Sequence, residues 1–224
     1  MMLDTAVDWV SGVRQHRWVH RCVAMARIGI GFAFIPSGLK KLLQQPFTDP
    51  DNTGPFHEFL QAFYGTGLFY PFVGGLQLLG GILLMTQHQA TIGAVILSPI
   101  VLVILVFCWS TWVVPTASVV SVIMLGLLGL LLWDIQRWRS LFGADGQQLQ
   151  LTLPAPHPAV DMVLWSRCGG LIALLYLGHV LVTGTVYRPQ GADWSNPSFV
   201  FLQILVVLPL VALGIEQWRS RKRG

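Results

Sequence analysis

No Asp, Glu, Lys or Arg occurs anywhere from Phe59 to Trp133. A helix needs about 20 predominantly apolar residues to cross a bilayer, so this run has room for three crossings. Polar punctuation divides it at Thr86-Gln87-His88-Gln89 and again around Pro115-Thr116, predicting helices near 67–85, 90–113 and 116–134. Two further apolar runs, near 163–186 and 198–217, flank the polar segment Arg188–Pro197. The chain is 54% hydrophobic and 11% charged, whereas a soluble domain carries roughly 25% charged residues. It lacks the polar side chains to cover a water-exposed surface. The expected fold class is an all-α integral membrane protein.

The sixth crossing rests on an awkward stretch, Arg27-Ile-Gly-Ile-Gly-Phe-Ala-Phe-Ile-Pro-Ser-Gly-Leu-Lys-Lys-Leu-Leu43, with only twelve uncharged residues between Arg27 and Lys40. At 100° per residue, Arg27, Gly31, Phe34, Gly38 and Lys41 form one stripe, and Lys40 points elsewhere. Small residues let helix backbones approach closely, so the Gly31/Gly38 face should turn inward and carry Arg27 and Lys41 with it. The two cations would sit about 20 Å apart at 1.5 Å per residue. Pro36 is tolerable where neighbours satisfy the carbonyl it frees. The stretch is therefore expected to cross, with charges that are shielded, paired or snorkelling.

Orientation follows from Lys and Arg in short loops. One side receives Arg14, Arg17, Arg21, Arg137, Arg139, Arg219, Arg221, Lys222 and Arg223, against Lys40, Lys41 and Arg188 on the other. Nine to three places both termini in the cytoplasm, in what would be a bacterial inner membrane. Trp109, Trp112, Trp133, Trp138, Trp165, Trp194 and Trp218 fall near predicted helix ends, where indoles favour the interface. Residues 1–21 hold Asp4, Asp8, Arg14, Arg17 and Arg21 without an apolar core, so no signal peptide is expected. The expected organisation is an N-terminal interfacial segment 1–21, a bundle over 22–139, a cytoplasmic loop 140–162, and a C-terminal helix pair with a basic tail over 163–224. Between the first two crossings, Pro55–Phe63 places Phe56, Phe59, Leu60 and Phe63 on one helical face and Glu58 and Gln61 on the other. It reads equally as a short helix flat on the outer surface or as an ordinary loop capping the bundle.

The Arg, the Gly-rich run and Phe-Ile-Pro-Ser-Gly-Leu-Lys-Lys-Leu, followed by Phe59-Leu-Gln-Ala-Phe-Tyr-Gly-Thr-Gly-Leu-Phe-Tyr-Pro71 and Gly75-Leu-Gln-Leu-Leu-Gly-Gly-Ile-Leu-Leu84, resemble DoxX-type membrane proteins over about residues 27–137. The resemblance implies a four-helix bundle. It also implies an association with membrane redox systems, including small subunits of thiosulfate:quinone oxidoreductases. Where members often carry Glu in a Glu-Leu-Leu-Gly-Gly-like motif, this chain has Gln77, which removes the ionisable group. The last two helices lie outside the resemblance.

Several residues stand out as candidates. Arg27 and Asp134 end up at the same side, where a structural ion pair locking two helices is the expected use, because unpaired charge in lipid is costly. Lys41, facing inward, suits an anion or a quinone carbonyl, whereas Lys40 suits snorkelling. Glu58 is the natural carboxylate partner for either lysine. Gln77 shares a face with Gly74 and Gly81 and is expected to hydrogen-bond across a helix interface. On the fifth helix, Cys168, Ile172, Tyr176, His179 and Thr183 form a stripe. Tyr176 and His179 would hold a quinone headgroup or simply build a polar seam. His16 and His20 supply two metal ligands, short of a complete site. Cys22, Cys108 and Cys168 form no CxxC pair. The basic residues cluster at ends and loops, which marks orientation and not nucleic-acid binding. Three readings follow: an accessory or quinone-interacting subunit of a membrane redox system, with a redox partner or a homo-oligomer; a binder or transporter of a small anion or lipid; or a structural scaffold. The expected ligand set is Arg27, Lys41, Glu58, Gln77, Tyr176 and His179, with no covalently bound cofactor and quinone as the candidate ligand.

Overall fold

The computed structural model describes residues 12–135, 160–184, 186 and 194–222. Among these are seven helices and no strand. They are α1 (Arg17–Leu42), α2 (Pro55–Tyr64), α3 (Phe69–Met85), α4 (Ala90–Ser110), α5 (Val114–Trp133), α6 (Met162–Thr183) and α7 (Pro197–Lys222). Five of them, α1 and α4 to α7, are long and apolar enough to cross a membrane. A sixth crossing results if α2 and α3, bent by 96°, count as one span. At 17 residues, α3 is about 26 Å long, just enough for the hydrocarbon layer with modest local thinning. The protein is a multi-pass membrane protein. Arg137, Arg139, Arg188, Asp193, Arg223, Trp138 and most of the 140–162 loop lie outside the described residues.

Local chemistry sets the helix limits. Pro55 opens α2 and Pro115 lies in the first turn of α5, where a missing N–H costs nothing. The Asp161 carboxylate caps α6 by accepting from the Leu164 N–H at 3.0 Å. Gly184 closes the same helix in the left-handed conformation, with φ 67. Around the outside, Val103, Val122, Leu125, Leu174, Leu181 and Leu210 are exposed, a surface that only lipid would cover without penalty.

Close approach between backbones holds the bundle together. A methyl on Gly31 would come within 2.6 Å of the Gly81 carbonyl oxygen, and one on Gly38 within 2.7 Å of that of Gly74. Both glycine pairs have seven-residue spacing, so α1 and antiparallel α3 touch along two successive turns of the same seam. Gly80 and Gly93 repeat the device between α3 and α4. At Gly169 of α6, any side chain would collide with the Met85 carbonyl.

Two apolar cores result, one on each flank of α1. Ala24, Ile28, Ile35 and Leu39 pack with Trp165, Ile172, Tyr176 and Leu205 of α6 and α7. Phe34 joins Leu84, Ala94, Leu97, Val101, Leu127 and Leu130 of α3 to α5. The C-terminal pair is thus seated against α1 and is part of the bundle. Short α2 lies over the end opposite the termini: Phe59 packs on Phe107 at 4.3 Å between ring centroids, and Phe63 on Tyr70 at 5.1 Å. It is a helix, as the surface reading expects, and it caps α3 and α4, as the loop reading expects.

Candidate functional site

Charged and polar side chains inside this bundle gather in three places. The first lies toward the end opposite the termini, at the α1–α3 seam. The glycine contacts draw the backbones together there, and Lys41 comes down over Gln77. Lys41 Nζ donates to Gln77 Oε1 at 3.0 Å and to Ser37 Oγ at 2.9 Å, and Ser37 Oγ donates to the same Gln77 oxygen at 3.2 Å. Phe47 of the following loop covers the ammonium, 4.4 Å from its ring centroid, a favourable cation–π placement. Lys41 is 7% exposed and Gln77 fully buried. No carboxylate among the described residues pairs with Lys41. Gln77 Nε2, also buried, has no hydrogen-bond partner. A desolvated cation, its N–H groups directed at Gln77 Oε1, Ser37 Oγ and, at 3.4 Å, the Ser37 carbonyl, thus sits beside one orphaned amide N–H, and a buried donor left unmade is costly. What fits them is an acceptor: a carbonyl oxygen or a small anion.

Glu58 does not join this cluster. It is exposed and reaches neither lysine. The cause is the capping helix itself: with its phenylalanines turned to Phe107, α2 points its opposite face, Glu58 included, outward.

The second cluster lies at the terminal side. Arg27 Nη2 donates to Asp134 Oδ2 at 3.0 Å, and Thr91 donates to the same oxygen at 2.7 Å. Gln87 completes the network, accepting from Arg27 Nη1 at 3.4 Å and donating to the Ala24 carbonyl at 3.2 Å. Gln87 reaches inward from the tight α3–α4 turn with φ 63, in the left-handed region that non-glycine residues seldom occupy. Arg14 adds a hydrogen bond to the Trp133 carbonyl and a cation–π contact with that ring. The network ties α1, α4 and α5 at one depth. Sequence reasoning read Thr86–Gln89 only as a polar turn, so Gln87 and Thr91 were missed. The signal available was that the turn holding Gln87 falls on the same side of the membrane as Arg27, which needs a partner.

The third cluster was not anticipated. Arg21 Nε lies 3.3 Å from Glu216 Oε2, Trp165 Nε1 donates to that oxygen at 3.0 Å, and the Asp161 N–H donates to Oε1 at 3.2 Å. Arg219 closes the ring onto Asp161 at 3.1 Å. Trp165 is therefore fully buried and not an interfacial indole, because its N–H serves a buried carboxylate. Glu216 was visible as the one acid in the sequence of α7, near its basic end, and an ionisable group at the edge of a span asks for a partner.

Tyr176 and His179 face different neighbours. Tyr176 packs edge-on against Phe32 of α1 at 5.4 Å, with its buried hydroxyl unpartnered. His179 stacks on Phe201 at 4.5 Å and lies 3.2 Å from Ser198 Oγ, so it belongs to the α6–α7 seam. Arg27, near the middle of α1, and Lys41, at its C-terminal end, are about 20 Å apart along the helix. The expected ligand set therefore divides, and only Lys41 and Gln77 come together, with Ser37 added. Among the described residues, no group of three or more His, Cys, Asp or Glu is placed to hold a metal ion.

Residues 22–110 match the family model described as DoxX. The match runs from the first turns of α1 to the end of α4, so it includes the Lys41–Gln77 seam and leaves α5 to α7 outside. No curated protein and no solved structure gives a significant match to the chain.

Proposed function

We propose that this DoxX-like membrane protein is an accessory subunit of a membrane redox system that binds a quinone headgroup at the α1–α3 seam. One observation carries the reading: the buried Lys41 ammonium, with no carboxylate partner among the described residues, next to the unpartnered Gln77 amide N–H. A quinone carbonyl is an uncharged acceptor that lives in the bilayer and would take the free Gln77 amide N–H, with the Lys41 ammonium turning to it from its 3.4 Å contact with the Ser37 carbonyl. The quinone would supply electron-carrying capacity. The residues of this chain would bind and orient it, Lys41 and Gln77 as donors, Ser37 holding the ammonium in register and Phe47 shutting out water. Gln77 strengthens this reading over proton transfer by the chain, because an amide at that place cannot exchange a proton as a Glu would. On this reading the electrons reside on a partner protein or on the quinone, the termini face the cytoplasm and the membrane is the bacterial inner one.

The same lysine favours a second reading, a binder of small anions, since a desolvated cation is stabilised most by opposite charge. Purification in mild detergent followed by mass spectrometry of co-extracted small molecules separates the two. Stoichiometric quinone that is lost in Lys41→Met and Gln77→Leu supports the first reading. Anion-dependent thermal stabilisation lost in Lys41→Met, with no quinone present, supports the second. Quinone retained equally by both variants refutes the assignment of the site.

A further inference from the structure

Where the start of α1 meets the end of α7, a pocket of about 380 Å³ opens at the terminal side, lined by Arg17, Trp18, Arg21, Gln217, Ser220 and Arg221. It is remote from the Lys41 seam and owes nothing to the redox reading. Three guanidiniums face this space, and their balance of partners is uneven. Arg21 is 1% exposed. Its Nε is held by Glu216, while its Nη2 is buried without a hydrogen-bond partner. Among the described residues no acid lines the pocket, and the carboxylate that reaches Arg21 is that of Glu216. Its two oxygens already accept the Trp165 N–H and the Asp161 N–H, and Arg21 meets it as an ion pair without a hydrogen bond from Nε. Arg17 and Arg221 pair with no acid among the described residues.

Such a pocket is rich in donors and poor in acceptors. Guanidinium groups present planar forks that match phosphate oxygens, and phosphate accepts several at once. Ser220 and Gln217 add uncharged polar groups at the wall. Depth points to the source of the phosphate. Trp18, with its ring under Arg21 at 4.7 Å, and Trp218, under Lys222 at 3.9 Å, are both exposed at this end. Exposed indoles mark the headgroup level of a bilayer. We propose that the pocket binds a phosphate group, supplied by the headgroup of an anionic phospholipid, with Arg21 as the buried anchor and Arg17 and Arg221 as the outer arms.

The test uses the detergent-purified full chain and follows thermal unfolding while titrating phosphatidylglycerol, phosphatidylcholine or inorganic phosphate at constant ionic strength. The variant is Arg17→Gln/Arg221→Gln, which leaves the Arg21–Glu216 pair in place and should unfold at the wild-type temperature without ligand. Phosphatidylglycerol should stabilise the wild type more than phosphatidylcholine does. The variant should need about 25-fold more of it, at about fivefold per arginine. Stabilisation by inorganic phosphate alone, again weakened in the variant, supports the phosphate site with a soluble source. Equal response to both lipids, or a response to phosphatidylglycerol that the variant does not weaken, overturns the proposal.

Discussion

Replacing Gly81 with alanine tests the seam on which the Lys41–Gln77 geometry depends. The added methyl would stand 2.7 Å from the Gly31 carbonyl oxygen. Ordinary contact begins near 3.4 Å, so α1 and α3 must separate by about 0.7 Å locally, and because the obstacle is backbone no rotamer change relieves it. Overpacking of this kind costs about 1–3 kcal/mol. Gly29→Ala is the matched control, since nothing lies within 4 Å of a methyl there. Both changes remove a mid-helix glycine, so the gain in helix propensity of up to about 1 kcal/mol is common to both and cancels in the comparison. Reversible unfolding in mixed micelles, read by tryptophan fluorescence, should place Gly81→Ala about 1–3 kcal/mol below Gly29→Ala. Ligand binding at Lys41 should weaken in the first variant and not in the second. Equal stabilities would mean that α1 and α3 are not in backbone contact, and the account of the site would fall with it.

Asp134→Asn leaves Arg27 buried beside a neutral amide and should cost about 3–5 kcal/mol in the same assay, whereas Arg27→Met/Asp134→Leu should cost less than the single change. Glu216→Gln should destabilise similarly, because Arg21 loses its carboxylate. Trp165→Phe, which deletes one hydrogen bond to that carboxylate and keeps most of the ring, should lose about 1.5–3 kcal/mol. Lys41→Met is expected to behave in the opposite sense. It removes a desolvated charge that no acid offsets, so the ligand-free protein should unfold at the same or a higher temperature while binding is lost.

The crossings were legible because lipid enforces a simple rule: backbone groups must be satisfied within each segment, and apolar length is then the main signal. The stripe of Gly31, Gly38 and Lys41 was also readable, since helical periodicity places these residues on one face. What sequence could not supply was the facing surface. Gly74 and Gly81 complement Gly38 and Gly31 only because α3 runs antiparallel to α1 in a particular register, and a helix wheel of either one alone does not carry that register. Tyr176 and His179 show the same limit. One turn apart on a wheel, they meet different helices. Glu58 failed for a related reason: amphipathicity predicted which residues of α2 share a face but not what that face would rest on. Arg21 and Glu216 were each readable as charges near a helix end, and only the return of α7 to the start of α1 joins them.

That return also sets an order of events in synthesis. Arg21 enters the membrane in the first helix, and its carboxylate arrives in the last. Until α7 is inserted, the start of the first helix carries a guanidinium whose Glu216 partner has not arrived, held at the interface by water or headgroup oxygens. Arg27 waits for a shorter time, until the end of α5. A chain stalled before α7 therefore keeps Arg21 without the carboxylate that meets it in the finished bundle.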